Sequence, residues 1–448
     1  MNMEHRRARA LTAALAAVGL TLTACSTAGT AAAPSTTTGS SSTAAEIGGS
    51  IRIAWWGGTT RDERTGAVID LFKQANPGVS TETESPVWND YFTKLNVEAA
   101  SKTLPCVMQL QNRQVAEYVK SGAVVPLDDL VASGAIDTSK IPAAIVDAGR
   151  GQDGKLYFLP YGLTYDAMVF NSKLASDAGV TVPQDAYTWD EFFSWVQQAQ
   201  PNLPSGTYAV ASMGDLANLF IDYVYANGTD PFNDAGKINF SKDQLTTYWD
   251  IWKELSDDGV SQPPDQAAEE PSAPEASSFA LGKILASSFG GNRVATVQET
   301  LTAADPQATV VANHLPGGGS SNGNPLYASG FAISSNCDNV ATAAAFINFF
   351  SNDVQAGLAF QADNGAPSNT DVLQALLDSP DLSDPVKADM GLYKKIADNG
   401  PGHITFPPGY QAQFDASFKR NFDAVLFGQV TVAQAVDAFF SEVDPSLG

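Results

Sequence analysis

The sequence predicts an α/β fold in two lobes, and three observations carry this prediction. Segments with the two-residue period of strands alternate along the chain with segments that have the 3.6-residue period of helices. Such alternation indicates an α/β architecture with largely parallel sheets. The chain has 448 residues, and the part after its leader, about 400 residues, is too long for one ordinary core. With 44% hydrophobic and 10% aromatic residues, it can fill two cores.

The first strand and the first helix show this alternation clearly. Residues 50–56 begin with alternating apolar and polar positions and end in two tryptophans before Gly57-Gly58, which predicts a strand and a turn. The apolar residues of 66–75 have helical spacing and stop before a proline-glycine turn, which predicts a helix. The further predicted elements are strands at 106–110 and 165–170, helices at 115–121, 341–350 and 414–440, and a helix at 188–198 that opens with the capping-box residues Thr188 and Glu191.

The first 24 residues have the pattern of a secretion signal. Arg6, Arg7 and Arg9 form a positively charged start, and an apolar run of about 13 residues follows at 10–22. A membrane-spanning helix needs roughly 20 apolar residues. Residues 1–24 are therefore interpreted as a removable signal peptide.

The apolar run ends in Leu22-Thr23-Ala24-Cys25, which resembles the lipobox of bacterial lipoproteins. The resemblance implies that Cys25 is lipidated and becomes the new N-terminus. Two acyl chains hold a protein at a membrane far better than one, so we expect the chain to be anchored at the extracytoplasmic face of the cell membrane. Residues 25–48 contain almost only Ser, Thr, Ala and Gly, with no aromatic residue, and predict a flexible linker.

Charge and motifs disfavour several functions. The formal net charge of −24 and the pI near 4.3 argue against binding of nucleic acid or of an anionic membrane surface. After the leader only His314 and His403 remain, and neither has a second His or a Cys at ligand spacing, so no metal site and no cofactor are expected. No phosphate-binding loop ending in Gly-Lys-Ser/Thr occurs. Glycan hydrolysis by a pair of carboxylates stays an open alternative, because the chain has 49 acidic residues.

Several blocks of sequence occur in a characteristic order. The first is Ile-Arg-Ile-Ala-Trp-Trp-Gly-Gly at 51–58, followed by Arg61. The second begins with Trp-Asn-Asp-Tyr at 88–91 and continues to residue 127, and the third runs from Leu-Pro-Tyr-Gly at 159–162 to Thr-Trp-Asp-Glu at 188–191. Together they resemble the extracellular solute-binding proteins of bacterial ABC importers, in the sugar-binding group that includes maltose-binding protein. Weaker similarities lie at 282–284, 329–334, 365–367 and 428–435.

The resemblance implies a periplasmic-binding-protein-like fold, in which two α/β lobes are joined by several hinge-crossing strands and close on a ligand. Residues 49–163 plus 333–365 are expected to form the N-terminal lobe. Residues 164–332 plus 366–448 are expected to form the C-terminal lobe. The chain would cross between the lobes near 164–167, near 329–333 and around Gly365.

The resemblance also bears on the two remaining cysteines. Where the family usually has Pro-Asp before the third strand, this chain has Pro105-Cys106. The resembling fold places the returning strand, which ends near Cys337, antiparallel beside that third strand. A disulfide between Cys106 and Cys337 is therefore implied in this oxidising location, and two unrelated buried thiols are the alternative.

The candidate ligand-binding residues follow from the same resemblance, because open α/β sheets place ligands at the carboxyl ends of their strands. Side chains alternate along a strand, so Trp56 rather than Trp55 is expected in the cleft. Core packing is the alternative for each aromatic residue. The aromatic candidates are Trp56, Trp88, Tyr161 and Tyr327, with Phe406 and Tyr410 as lesser ones, and the polar candidates are Arg61, Gln111, Asn112, Asp166 and Asn292.

The expected function is that of a monomeric binding module with no chemistry of its own. It would capture a mono- or oligosaccharide between the lobes and deliver it to the transmembrane subunits of an ABC permease. Two alternatives stay open. The same fold could bind another solute, such as a polyamine, a phosphodiester or a metal chelate, or the chain could be a surface-anchored glycan hydrolase.

Overall fold

The computed structural model describes residues 47–448 except 185, 272, 318–323, 399–401 and 403. The predicted signal peptide, Cys25 and nearly all of the predicted linker lie outside the described residues. The strands are β1 Gly49–Ala54, β2 Val79–Glu84, β3 Val107–Gln111, β4 Phe158–Thr164, β5 Asp166–Asn171, β6 Tyr208–Val210, β7 Ile284–Gly290, β8 Val310–His314, β9 Tyr327–Ile333 and β10 Ala366–Pro367.

Helices connect most of these strands. The α-helices are α1 Thr59–Ala75, α2 Trp88–Ser101, α3 Val115–Lys120, α4 Asp128–Ala132, α5 Ala143–Asp147, α6 Ser172–Asp177, α7 Trp189–Ala199, α8 Ala217–Ala226, α9 Lys242–Asp257, α10 Pro264–Ala268, α11 Val294–Ala304, α12 Val340–Asn352, α13 Val354–Phe360, α14 Thr370–Asp378, α15 Asp384–Asp398, α16 Ala416–Leu426 and α17 Val432–Val443. A π-helix, Tyr410–Asp415, leads into α16. No helix among the described residues is long and apolar enough to cross a membrane.

The strands form two mixed sheets. The first sheet has the order β10-β4-β9-β3-β1-β2, and the second has the order β6-β7-β5-β8. In the first sheet β1 is parallel to β2 and β3, but β9 is antiparallel to both of its neighbours and β10 is antiparallel to β4. In the second sheet only β6 and β7 are parallel. The prediction of largely parallel sheets is wrong, because β9 enters from the other sheet rather than through a crossover helix.

The chain passes between the sheets at short segments. β4 ends at Thr164 in the first sheet and β5 begins at Asp166 in the second, so Tyr165 alone connects them. The return is made between β8 and β9. At Gly365, which precedes β10, φ is +95° and a Cβ would collide with the carbonyl oxygen of Leu163, so the turn there requires glycine.

The predicted limits of the two lobes stay a prediction, but sheet membership differs from them at three places, the first of which is Thr164, which pairs with Tyr327 within the first sheet. Residues 327–332 were assigned to the C-terminal lobe, whereas all of β9 pairs within the first sheet. β10 was assigned in the same way and also pairs within the first sheet. A crossing strand is shared by both lobes, and hydrophobic pattern alone does not show which sheet provides its partners.

Three local predictions can be compared with the helices. The capping box of α7 is confirmed, because Thr188 accepts from the Glu191 backbone N–H and Glu191 bonds back to the Thr188 N–H. α1 begins at Thr59, seven residues earlier than predicted, since its first turns are polar and show little apolar period. The segment predicted as helical at 414–440 contains α16 and most of α17, which continues to Val443, and a capping box at Thr431 starts α17.

Both faces of the second sheet are buried. Successive side chains of β5 point to opposite faces, and Ala167 and Val169 pack in the same core as the first sheet. Met168 and Phe170 pack on the other face in a second core, which is built from α7–α9 and the C-terminal helices. The first core therefore runs without interruption from the first sheet to one face of the second.

Two features stabilise the end of the first sheet at which β1 begins. Cys106, before β3, and Cys337, after β9, form a disulfide with Cα atoms 4.4 Å apart. The backbone N–H of Gly48 donates to the Thr342 hydroxyl at 3.0 Å, and its carbonyl accepts from the Asn339 amide at 2.6 Å. The start of the described chain is thus bound to the N-terminus of α12.

A buried carboxyl supports the crossing at Tyr165. The Tyr165 hydroxyl donates to Asp389 Oδ1 of α15 at 2.6 Å, and both side chains are almost completely buried. Burial raises the pKa of Asp389 from 3.8 to about 6, although the hydrogen bond from Tyr165 opposes the shift. The carboxyl is therefore held in a site that favours its protonated form.

The disulfide is expected to stabilise the fold strongly. It joins residues 231 positions apart, and in the chain-entropy model a loop of that length contributes on the order of 5 kcal/mol. The variant Cys106→Ala/Cys337→Ala should lose several kcal/mol of unfolding free energy in urea titrations. A reductant should destabilise the natural chain to the same level and leave the double variant unchanged. Equal sensitivity of both proteins to reductant would contradict this role.

The Asp389 carboxyl should make stability depend on pH. Its folded-state pKa is raised, so the folded state binds the proton more tightly and the stabilisation is lost as pH rises from 3.8 to about 6. Asp389→Asn, which cannot ionise, should be more stable than the natural chain above pH 6, by up to ~3 kcal/mol. The difference should vanish below about pH 4. Melting curves across pH measure it, with the exposed Asp381→Asn as control.

Candidate functional site

A large cavity lies where strands of both sheets end. Its volume is about 1200 Å³. The first sheet contributes residues that follow β1 and β3, and the second contributes the start of β5 and the end of β7. The π-helix and α16 form a further wall, and residues 215–218 and Pro271 also contribute to the lining. The lining residues are Trp56, Arg61, Trp88, Gln111, Arg113, Thr164, Asp166, Asp215, Leu216, Asn218, Pro271, Ser288, Phe289, Gly290, Asn292, Arg293, Asn364, Tyr410, Gln411, Asp415, Ala416, Lys419, Arg420, Asp423, Ala424, Phe427 and Gln429.

Trp56 and Trp88 form an aromatic wall on one side of the cavity. Their ring centroids are 4.8 Å apart in an edge-on arrangement. Trp56 lies two residues beyond β1, where its backbone N–H donates to Gln109 Oε1 at 3.1 Å, and Tyr91 of α2 packs against its ring. Trp55 points elsewhere, since its indole N–H donates to Asp62 at 2.9 Å. The alternation of side chains therefore separates the two tryptophans in the manner expected from the sequence.

The last residue of β3 and the loop after it bring two polar side chains to the cavity. Gln111 donates to the Ser329 hydroxyl at 3.1 Å, while its buried Oε1 has no hydrogen-bond partner. The guanidinium of Arg113 lies over the ring of Tyr327, 4.6 Å from its centroid, and its buried Nε has no partner. Both residues line the cavity, and neither uses its full hydrogen-bonding capacity within the protein.

Arg113 was not among the residues proposed from the sequence. It directly follows Gln111 and Asn112, in the polar run Gln-Asn-Arg-Gln that ends a buried strand. A polar run directly after a buried strand is the signal that could have identified Arg113. Its stacking on Tyr327 depends on β9, which is more than 200 residues away in the chain, and no local pattern shows such a contact.

The second sheet contributes Asp166 and Asn292. Asp166 begins β5 and accepts from the Asn218 amide at 2.5 Å. Asn292 follows the end of β7, next to Arg293, and both line the cavity. The structure therefore brings Trp56, Trp88, Gln111, Asp166 and Asn292 together around one space, as their proposed role requires.

Tyr327 lies beneath the cavity rather than in its wall. Its hydroxyl donates to Asp222 Oδ1 of α8 at 2.6 Å, and both residues are buried. Burial and the neighbouring Asp166 raise the pKa of Asp222 well above its ordinary value, while the bond from Tyr327 opposes this. Tyr327 thus lies between a buried carboxyl on one side and the Arg113 guanidinium on the other.

Three other candidates also lie outside the cavity wall. Tyr161 is core: its ring stacks on Phe331 with centroids 5.1 Å apart, and its hydroxyl is bonded to Gln109 and Asn364. Asn112 and Phe406 line a separate, very small cavity of about 10 Å³. A strand side chain and the next residue face opposite sides, which explains why Gln111 reaches the large cavity and Asn112 does not.

Arg61 lines the cavity, but its donors are used within the protein. Its Nε and Nη2 donate to Asp363 Oδ1 at 3.1 and 3.0 Å, and Nη1 donates to the Trp56 carbonyl at 3.4 Å. Arg64 pairs with the other oxygen of Asp363 at 3.2 Å. Arg61 therefore fixes the position of the Trp56 backbone and of the turn before β10.

The π-helix and α16 supply a wall that sequence analysis did not anticipate beyond Tyr410. Tyr410 lines the cavity with a buried hydroxyl that has no partner. The next residue, Gln411, accepts from Gln114 at 2.9 Å and donates to Asp415 at 2.9 Å. Burial raises the pKa of Asp415, and Arg113 and Gln411 oppose the shift. The segment after β3 is thus tied directly to the C-terminal wall.

A family model for bacterial extracellular solute-binding proteins matches residues 67–392, which is most of the chain. The chain belongs to this family. The cavity is therefore that of a solute-binding protein, and its walls come from both sheets and from the C-terminal helices.

Solved structures show that this solute-binding protein has the periplasmic-binding-protein-like fold predicted from its sequence. An ABC substrate-binding protein from Listeria monocytogenes in complex with cycloalternan superposes with a TM-score of 0.74 at 18% identity, over 88% of this chain and 98% of the other. A periplasmic oligogalacturonide-binding protein from Yersinia enterocolitica gives 0.73 at 21% identity over the same shares. At these identities the likeness shows the fold alone.

One curated relative matches over a shorter stretch. The diacetylchitobiose-binding protein DasA of Streptomyces coelicolor is 29% identical to this solute-binding protein over 128 residues. That stretch covers 28% of this chain and 28% of DasA.

Proposed function

We propose that the chain is the carbohydrate-binding component of a bacterial ABC importer, which captures a mono- or oligosaccharide in the cavity and passes it to the permease. The observation that carries this proposal is the Trp56–Trp88 wall together with the planar polar side chains of Gln111 and Arg113, which line the same cavity. Flat rings match the C–H faces of a sugar. Planar polar side chains match its hydroxyl groups, each of which both donates and accepts hydrogen bonds.

The charges of the cavity favour a neutral ligand over a polyamine. Lys419 is paired with Asp215 and Asp423, at 2.6 and 3.2 Å. A polyamine would need carboxylates in excess, whereas a sugar hydroxyl can lie between a guanidinium and a carboxylate. In the part of the chain that the structure describes, the lining charges without an ion pair number two of each sign: Arg113, Arg293, Asp166 and Asp415.

The relatives support the same ligand class. The proteins compared above bind diacetylchitobiose, cycloalternan or saturated digalacturonic acid, all of which are saccharides. These saccharides differ in linkage and in charge, so they support the class and not one particular sugar. We propose further that the ligand leaves chemically unchanged, as transport requires.

The proposed location follows from the leader. A receptor that feeds a permease must stay near it, and lipidation at Cys25 with a flexible linker at 25–48 would achieve this. In this proposal one anchored copy of the chain works alone and releases its ligand to the transmembrane subunits.

A thermal-shift panel tests the ligand class. A ligand at 100 times its dissociation constant should stabilise the folded chain by about 2.7 kcal/mol. We expect the melting temperature to rise with one or more neutral saccharides and not with spermidine, and chromatography should recover the saccharide intact. A response to spermidine alone would establish a polyamine ligand, and release of smaller sugars would establish a hydrolase.

Arg113→Lys tests the site itself. Lysine keeps the charge but loses the planar group that stacks on Tyr327. Since a hydrogen bond to a charged group is worth about 1.5–3 kcal/mol, affinity for the saccharide should fall about tenfold or more. Arg52→Lys is the matched control, because Arg52 is paired with Glu84 and Glu98 away from the cavity. Unchanged affinity of the Arg113 variant in calorimetry would exclude it from the site.

A further inference from the structure

One face of α16 lines the cavity along its whole length. The residues that do so are Ala416, Lys419, Arg420, Asp423, Ala424 and Phe427, the last being the C-cap residue. Their spacings of three and four residues place them in a single stripe. At 1.5 Å per residue the stripe extends for about 16 Å from Ala416 to Phe427.

The stripe begins near the centre of the site and leads away from it. Asp415 precedes Ala416, and its charge interacts with that of Arg113. From there the wall passes Lys419, which bonds Asp215 of the loop before α8 at 2.6 Å, and reaches Phe427 and Gln429 at its far end. The cavity is therefore longer than the polar cluster around Arg113 and Asp166.

The side chains of the stripe suit a chain of sugar units. Asp423 accepts from Lys419 and keeps unused lone pairs for hydroxyl donors. Ala416 and Ala424 are small and leave room above the helix. Gln429, one turn beyond α16, is exposed and carries both a donor and an acceptor.

Phe427 is exposed at the end of the stripe. It is 49% exposed, and it is the one aromatic residue among the large apolar side chains that are exposed in the described part of the chain. The others are Ile47, Val87, Val97 and Leu281. An aromatic ring in that position leaves apolar surface in contact with water. It also offers a flat platform to a ligand that extends beyond the central site.

We propose that the site takes a linear oligosaccharide, which runs from the Trp56–Trp88 wall along α16 and places a distal sugar unit on Phe427. This inference rests on the proposed carbohydrate function. It assigns a second aromatic subsite to the cavity and makes Phe427 a determinant of the preferred chain length.

Calorimetry with saccharides of increasing length tests the proposal. The probes are three linear series from disaccharide to hexasaccharide: α-1,4-linked glucose, β-1,4-linked glucose and β-1,4-linked N-acetylglucosamine. Within the series that binds, affinity should increase with length. Phe427→Ala should weaken the longest saccharide about fivefold and leave the disaccharide unchanged, and Phe427→Trp should restore the affinity.

Leu281→Ala is the matched control, because Leu281 is equally exposed at 49% and does not line the cavity. It should affect no saccharide. If a disaccharide binds but affinity does not increase with length, or if Phe427→Ala weakens all lengths equally, the distal subsite is refuted while the carbohydrate function stands. If no member of the three series binds, and none of the saccharides in the thermal-shift panel does, the proposed function and the subsite fall together.

Discussion

The pairing of β9 between β3 and β4 is the constraint on which the cavity depends. All seven residues of this strand are buried, so its backbone groups must find partners on both sides. The register pairs Ser329 with Gln111 of β3 and Tyr327 with Thr164 of β4. The loop after β3, the end of β4 and the start of β9 therefore meet at one end of the sheet, where side chains that line the cavity are gathered.

The same register makes a buried arginine tolerable. A charged group inside a protein needs partners that replace its hydration. Arg113 finds the face of Tyr327, and Tyr327 in turn is fixed by its bond to Asp222. The guanidinium is thus held in position by packing while part of its hydrogen-bonding capacity stays unused. In the proposed function, a guanidinium held in this way meets a ligand without first losing the freedom of its side chain, which lowers the entropic cost of binding.

The sequence predicted much of the frame and only part of the site. Patterns within a few residues, such as the capping box of α7 and the alternation that separates Trp55 from Trp56, were read correctly because local geometry determines them. The relative direction of neighbouring strands and the core position of Tyr161 were not predicted, because both depend on which distant strands become neighbours. The α16 face was missed for the same reason. Its spacing resembles that of any amphipathic helix, and only the fold shows that its polar side lines a cavity.

The hydrogen bonds of Gly48 bear on the proposed attachment of the chain through Cys25. They bind the backbone at the beginning of β1, whereas Trp56 reaches the cavity just beyond the other end of that strand. The six residues of β1 separate these points by about 20 Å. A membrane tether attached before residue 47 would thus connect to the end of the sheet that is remote from the cavity. Attachment there would leave the opposite end of β1, next to the cavity, without a covalent link to the membrane.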